Sequence, residues 1–190
     1  VVAKKLILLM CLWLPLSGCI PVAMVAGATI GGAIIYDKRS FKTITKDNQA
    51  AIKATKRIRN QNNLRGKAQV KVSVFNGIGL VVGSATSKQE REEIGELVAT
   101  TPNIRRVYNE VVISDTINSA ANLSDAWLAS RVRTCLLLKP GLQSSNIKII
   151  TEGGVVYLMG MLSQKQARLA ANATSQISGV KKVVKVFEYD

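Results

Sequence analysis

The sequence predicts an α+β protein built from two tandem α-β-β-α-β units. Each unit is a small mixed three-stranded sheet with its helices packed on one face. Three observations predict this. Residues 70–91, VKVSVFNGIGLVVGSATSKQER, align without a gap on residues 147–168, IKIITEGGVVYLMGMLSQKQAR, at a shift of 77 residues. An internal repeat of this kind marks one structural unit used twice. In each copy the apolar residues first follow a strand pattern and then recur at helical spacing. A turn-forming dipeptide, Asn76-Gly77 or Gly153-Gly154, separates the first two apolar runs in each copy, and such pairs supply the positive φ angles of a tight hairpin.

The elements follow in order. A helix over 47–59 opens the first unit, and one over 124–139 opens the second. Val70, Val72 and Val74 then alternate with Lys71, Ser73 and Phe75, the period of a half-buried strand. A second apolar strand covers 78–82, or 155–159 in the repeat. Gly83 and Gly160 close it, where the chain turns sharply or packs its backbone closely. Thr86-x-x-Gln89 and Ser163-x-x-Gln166 read as capping-box helix starts. Ile94, Leu97, Val98 and Thr101 give the first of these helices its inward stripe. A third strand runs Arg106–Ile113, and Lys182–Tyr189 in the second unit. Gly77, Gly83, Gly154 and Gly160 are the structural glycines of this scheme. The domains are placed at 45–113 and 123–190, joined by a small polar linker, SDTINSAAN, at 114–122.

The N-terminal segment reads as an export signal. Lys4 and Lys5 precede an apolar run from Leu6 to Leu14, too short to span a bilayer. Leu16-Ser17-Gly18-Cys19 then resembles the lipobox of bacterial lipoproteins. That resemblance implies a signal peptide over 1–18, cleavage before Cys19 and lipidation of Cys19. Ile20 rather than Asp follows the cysteine, which by the same resemblance favours the outer membrane. Residues 19–44 form a lipidated apolar and linker segment. The alternative is an uncleaved anchor, but Pro15, Pro21, Gly27, Gly31 and Gly32 disfavour one continuous helix. Cys11 leaves with the signal, so Cys135 is the remaining free thiol and no intrachain disulfide is expected. It sits on an apolar helix stripe and reads as a core residue.

Charge narrows the function. The chain carries 26 Lys+Arg against 12 Asp+Glu, a net +14, and loss of Lys4 and Lys5 with the signal leaves +12. Such a balance implies an anionic partner: nucleic acid, membrane surface or acidic protein. There is no histidine, which removes the commonest general base and metal ligand. Zinc, triad and imidazole chemistries do not fit. Gly77-x-Gly79 and Gly153-Gly154 lack the continuation of a phosphate loop, and the acids are scattered singly. No enzyme, cofactor or metal is expected. Nucleic acid is disfavoured by the export signal and by the missing aromatic platforms of single-strand binders.

One helix stands out. In DAWLASRVRTCLLLK, Leu128, Val132, Cys135 and Leu136 make a core stripe. Trp127, Ser130, Arg131, Thr134, Leu137 and Leu138 form a contiguous second face. Tryptophan at headgroup level, leucines at the acyl boundary and arginine against phosphate are what an interfacial helix needs. The other reading packs Trp127 against the first unit and tucks Leu137 and Leu138 into the core. The first unit's helix has no tryptophan and no leucine pair. Its Lys53, Lys56, Arg57 and Arg59 either add long-range attraction or form a solvated face.

The repeat resembles the BON domain of bacterial envelope proteins. The resemblance rests on the strand pair around Asn76-Gly77, on Gly83 with its polar helix start, and on the stretch Asn103-Ile104-Arg105-Arg106-Val107-Tyr108-Asn109-Glu110-Val111. The second unit keeps Gly179-Val180 and Val183 but lacks the Asn-Glu pair. A lipobox followed by two such units resembles the dual-domain outer-membrane lipoproteins of that family. Ser124-Asp125-Ala126-Trp127, Arg131-Val132-Arg133, Ser144 to Lys148, Leu158-Met159-Gly160 and Asp37 to Ser40 carry this closer likeness. It implies a non-enzymatic, lipid-anchored protein facing the periplasm. Such a protein binds phosphatidylglycerol and cardiolipin through the first helix of the second domain. It also implies division-site localisation, outer-membrane integrity and a link to outer-membrane protein assembly. The competing reading is a periplasmic scaffold docking an assembly factor or a cell-wall hydrolase regulator.

Overall fold

The computed structural model describes residues 39–115 and 121–189, with the helix backbone alone for 121–123. The segment expected to be an export signal, Cys19 and most of the segment after it lie outside the described residues, as do 116–120 of the expected linker. The first helix, α1, spans Phe41–Arg59 and so begins within the segment assigned to the linker. Ser40 sets that start: it is extended, and its side chain accepts from the Thr43 amide, satisfying one of the orphan donors of the first turn. A 3-10 turn at Asn62–Leu64 leads into β1 (Ala68–Phe75) and β2 (Ile78–Ala85). Helix α2 (Lys88–Ala99) and β3 (Arg106–Ile113) complete the unit. The second unit repeats the order with α3 (Ala121–Leu137), a 3-10 turn (Ser144–Asn146), β4 (Ile147–Glu152), β5 (Val155–Leu162), α4 (Gln164–Ser175) and β6 (Lys182–Tyr189).

Both sheets have the same topology. The hairpin pair is antiparallel, and the third strand joins the middle strand in parallel, giving the orders β1-β2-β3 and β4-β5-β6. The hairpin turns carry φ values of 49° and 72° at Asn76 and Gly77, and 59° and 83° at Gly153 and Gly154. Two positive φ angles in succession are the two-residue turn that matches strand twist. Two expectations need correction. Gly83 and Gly160 do not close the middle strands but lie inside them. A Cβ there would stand 2.1 Å from the Gln69 carbonyl oxygen, or 2.4 Å from that of Asn146, so close backbone approach is the reason for glycine. The capping box of α2 is Ser87 with Glu90, not Thr86 with Gln89. Thr86 instead donates to Glu90 Oε2 at 2.7 Å and holds that carboxyl below its ordinary range. In the second unit Ser163 caps α4.

Each unit has its own helix-on-sheet core. Ala54, Ile58, Val81, Ile94 and Val98 pack together in the first, and Leu128, Val132, Leu136, Leu158 and Ala170 in the second. The opposite faces of the two sheets meet each other. Phe75, Ile78, Leu80 and Val82 pack with Tyr157, Met159 and Val186 in a third cluster. The middle strands are thus buried on both faces, which is why 78–82 and 155–159 are continuously apolar instead of alternating. Polar contacts rim the seam. Lys71 meets Glu152 at 3.0 Å, Asn76 Nδ2 donates to Glu188 at 2.7 Å, and Arg105 pairs with Glu188.

Candidate functional site

Helix α3 is fixed on the second sheet by apolar contacts and by one buried acid. Leu128, Val132 and Leu136 are at most 4% exposed. Asp125, also buried, accepts from the amides of Gly153 and Gly154 at 2.8 and 3.0 Å. Asp47 does the same for Asn76 and Gly77 at 2.7 and 2.9 Å. In each unit the first helix therefore clamps the hairpin turn by charge-assisted hydrogen bonds. The sequence reading missed this device. Its signal was present: an aspartate precedes the buried stripe at the same step in both helices, Asp47-Ala50-Ala54-Ile58 and Asp125-Leu128-Val132-Leu136.

With that stripe inward, the second face of α3 points outward. Trp127 is 60% exposed, Leu137 57% and Leu138 74%. Ser130 and Thr134 are exposed beside them, and Arg131 is half-buried. Neither Trp127 nor the leucine pair is packed into a core. Arg131 sits over the indole, its guanidinium carbon 4.6 Å from the ring centroid, while its Nη1 donates to the Ser178 carbonyl at 3.0 Å. The cation–π contact and the hydrogen bond together hold the guanidinium beside Trp127. Trp127, Ser130, Arg131, Thr134 and Cys135 line a shallow groove with Ile177, which the sequence reading did not include. Cys135 itself is half-buried against the core. No acid occurs from Ala126 to Thr151, a stretch that holds Arg131, Arg133, Lys139 and Lys148. Among the described residues no group of His, Cys, Asp or Glu is arranged to hold a metal, and no helix is long and apolar enough to cross a membrane.

Comparison with known proteins places this helix in a family. The BON domain pattern matches residues 43–115 and again 124–190. The chain belongs to the BON domain family. It is a dual BON-domain protein, with α3 opening its second BON domain. The outer membrane lipoprotein DolP of Haemophilus influenzae is 30% identical over 186 residues, 98% of this chain and 96% of its own. A 21 kDa hemolysin of Actinobacillus pleuropneumoniae is 29% identical over 153 residues, 80% of this chain and 79% of its own. Among solved structures, the C-terminal domain of CdsD, a type III secretion structural protein of Chlamydia trachomatis, covers 72% of this chain and 94% of its own at 12% identity. Its TM-score of 0.29 bears on neither fold nor function.

The two BON domains differ on the helix face in question. In α1, aligned through Asp47 and Asp125, the positions of Trp127, Thr134 and Leu137 hold Gln49, Lys56 and Arg59. Of its cationic cluster, Lys53, Lys56 and Arg59 are exposed, but Arg57 is committed to the Leu97 carbonyl and Thr101 hydroxyl at 2.8 and 3.1 Å. Exposed Ile52 and Phe41 are separate single side chains of the kind common on any surface.

Proposed function

We propose that this protein is a non-enzymatic outer-membrane lipoprotein, anchored through Cys19 and facing the periplasm, that binds anionic phospholipid through α3. Phosphatidylglycerol and cardiolipin are the lipids it reads. Its contribution to outer-membrane integrity, including its gathering at division sites, follows from reading them. The observation that carries this is the outward face of α3: Trp127, Leu137 and Leu138 exposed beside Arg131, on a helix whose other face is core. Sinking one leucine into the acyl boundary is worth about 1.5–3 kcal/mol. Each basic residue near an anionic surface adds roughly 1 kcal/mol. The name of the Haemophilus influenzae relative supports the compartment. The lipid on Cys19 holds the protein at the membrane, and α3 orients it and selects the headgroup.

Vesicle co-sedimentation tests this. The fragment should start ahead of Arg39, because Arg39 pairs with Asp47 and Ser40 caps α1. The parent is expected to sediment with phosphatidylglycerol vesicles and not with purely zwitterionic ones, and Trp127→Ala and Leu137→Glu are expected to lose it. A parent that ignores every vesicle, or variants that bind as well, would sink the proposal. The same face would then be tested as a scaffold for an assembly factor or hydrolase regulator.

A further inference from the structure

The seam between the two BON domains contains a cationic groove that sheet packing alone does not require. Lys71 and Lys148 occupy equivalent positions in the repeat, and each reaches across to the other domain. Lys71 meets the carboxylate of Glu152 at 3.0 Å. The residue equivalent to Glu152 in the first domain is Phe75, so among the described residues Lys148 meets no carboxylate across the seam at the equivalent place. Its ammonium donates to the Val74 carbonyl at 3.1 Å instead. The repeat thus supplies its own control: the same lysine is neutralised at one end of the seam and not at the other.

What surrounds Lys148 increases the imbalance. An open groove of about 310 Å³ is lined by Arg39, Asn48 and Phe75 from one side and by Arg133, Ser145 and Lys148 from the other. The neighbouring acid, Asp47, is already occupied by the Asn76 and Gly77 amides and by Arg39 at 2.8 Å. Arg39 also stacks on the Phe75 ring, 3.8 Å from its centroid. Arg133 is exposed on α3. Burial, with repulsion from Arg39, pushes the Lys148 ammonium below the ordinary lysine range, Asp47 offsetting part of it. A half-buried cation without a carboxylate is unfavourable unless something supplies the missing charge.

We propose that this groove binds a phosphoryl oxyanion, held by Lys148 and Arg133 with hydrogen bonds from Asn48 and Ser145. A guanidinium fork beside a point-charge ammonium suits an anion with several acceptor oxygens. The groove is separate from the Trp127 face and does not depend on the reading of that face. Its ligand has two sources: a soluble phosphate, or a headgroup of the leaflet, since Arg133 lies one helical turn from Leu137 on α3.

The test uses the full chain in zwitterionic detergent micelles, titrated with inorganic phosphate at an ionic strength balanced with chloride. Thermal unfolding is the readout. A saturable rise in Tm is expected for the parent and for Lys53→Gln on α1. Lys148→Met is expected to abolish it. Arg133→Gln, an exposed change that leaves folding alone, is expected to weaken the apparent affinity roughly ten-fold. If phosphatidylglycerol added to the micelles competes with phosphate, the headgroup is the source; if it does not, the source is soluble. No saturable rise beyond the chloride control would overturn the site. So would parent-like responses in both groove variants, or loss of the response in Trp127→Ala, which would move the anion to the α3 face.

Discussion

At the scale of the residue, the two helix aspartates set the geometry of both domains. Asp125 takes two turn amides at once, and its removal leaves both donors without their charged acceptor. Asp125→Ala is therefore expected to cost about 3 kcal/mol, measured from the denaturant midpoint; a loss under about 0.5 kcal/mol would show that water replaces the carboxylate freely. Sequence pattern did not reveal this clamp, because a lone aspartate near a helix start looks like ordinary solvated polarity. Only the hairpin amides, some thirty positions away in each unit, make it structural. Gly83 and Gly160 stood out as glycines. Which backbone approaches them, Gln69 of β1 and Asn146 just before β4, is in no local pattern.

At the scale of the element, α3 was legible in detail. Helical spacing separates its two faces, and the exposures of Trp127, Leu137 and Leu138 decide that the second one points outward, which spacing alone left open. Leu137 is exposed and outside the core, so Leu137→Glu is expected to change folding stability by less than about 0.5 kcal/mol, read by denaturant unfolding. A large loss would mean the residue is structural and would make its vesicle phenotype uninterpretable. The start of α1 was not legible. Residues 41–46, FKTITK, contain two threonines and an isoleucine, whose branched side chains favour strands. The Ser40 cap, with contacts made by Arg39 to Asp47 and Phe75, carries the helix back to Phe41. The capping frame of α2 moved by one residue for a similar reason: two serine/threonine candidates stood side by side, and Glu90 selected Ser87.

At the scale of the molecule, the sheets close on each other through their helix-free faces. The continuous apolar runs at 78–82 and 155–159 signalled burial on both sides, yet not what covers the second side. Tyr157 reports on that seam. Burial, with Glu110 and Glu152 nearby, pushes its hydroxyl from 10.0 up to about 12. The unfolded chain releases this proton first, so the contribution of Tyr157 to stability is intact below its unfolded value and is lost as pH rises from 10 to about 12. The stability difference between the parent and Tyr157→Phe is expected to change across that window and stay flat below it. A difference that does not vary with pH would mean Tyr157 is solvated in the folded protein.

The central claim is that α3 meets an anionic lipid surface. The sequence has two tryptophans, Trp13 and Trp127, so a fragment of residues 37–190 keeps Trp127 as its single tryptophan. Its fluorescence emission on titration with phosphatidylglycerol vesicles is the most direct measurement. A saturable blue shift that zwitterionic vesicles do not produce, and that Leu137→Glu removes, is the predicted result. Emission unchanged at saturating anionic lipid would contradict the account.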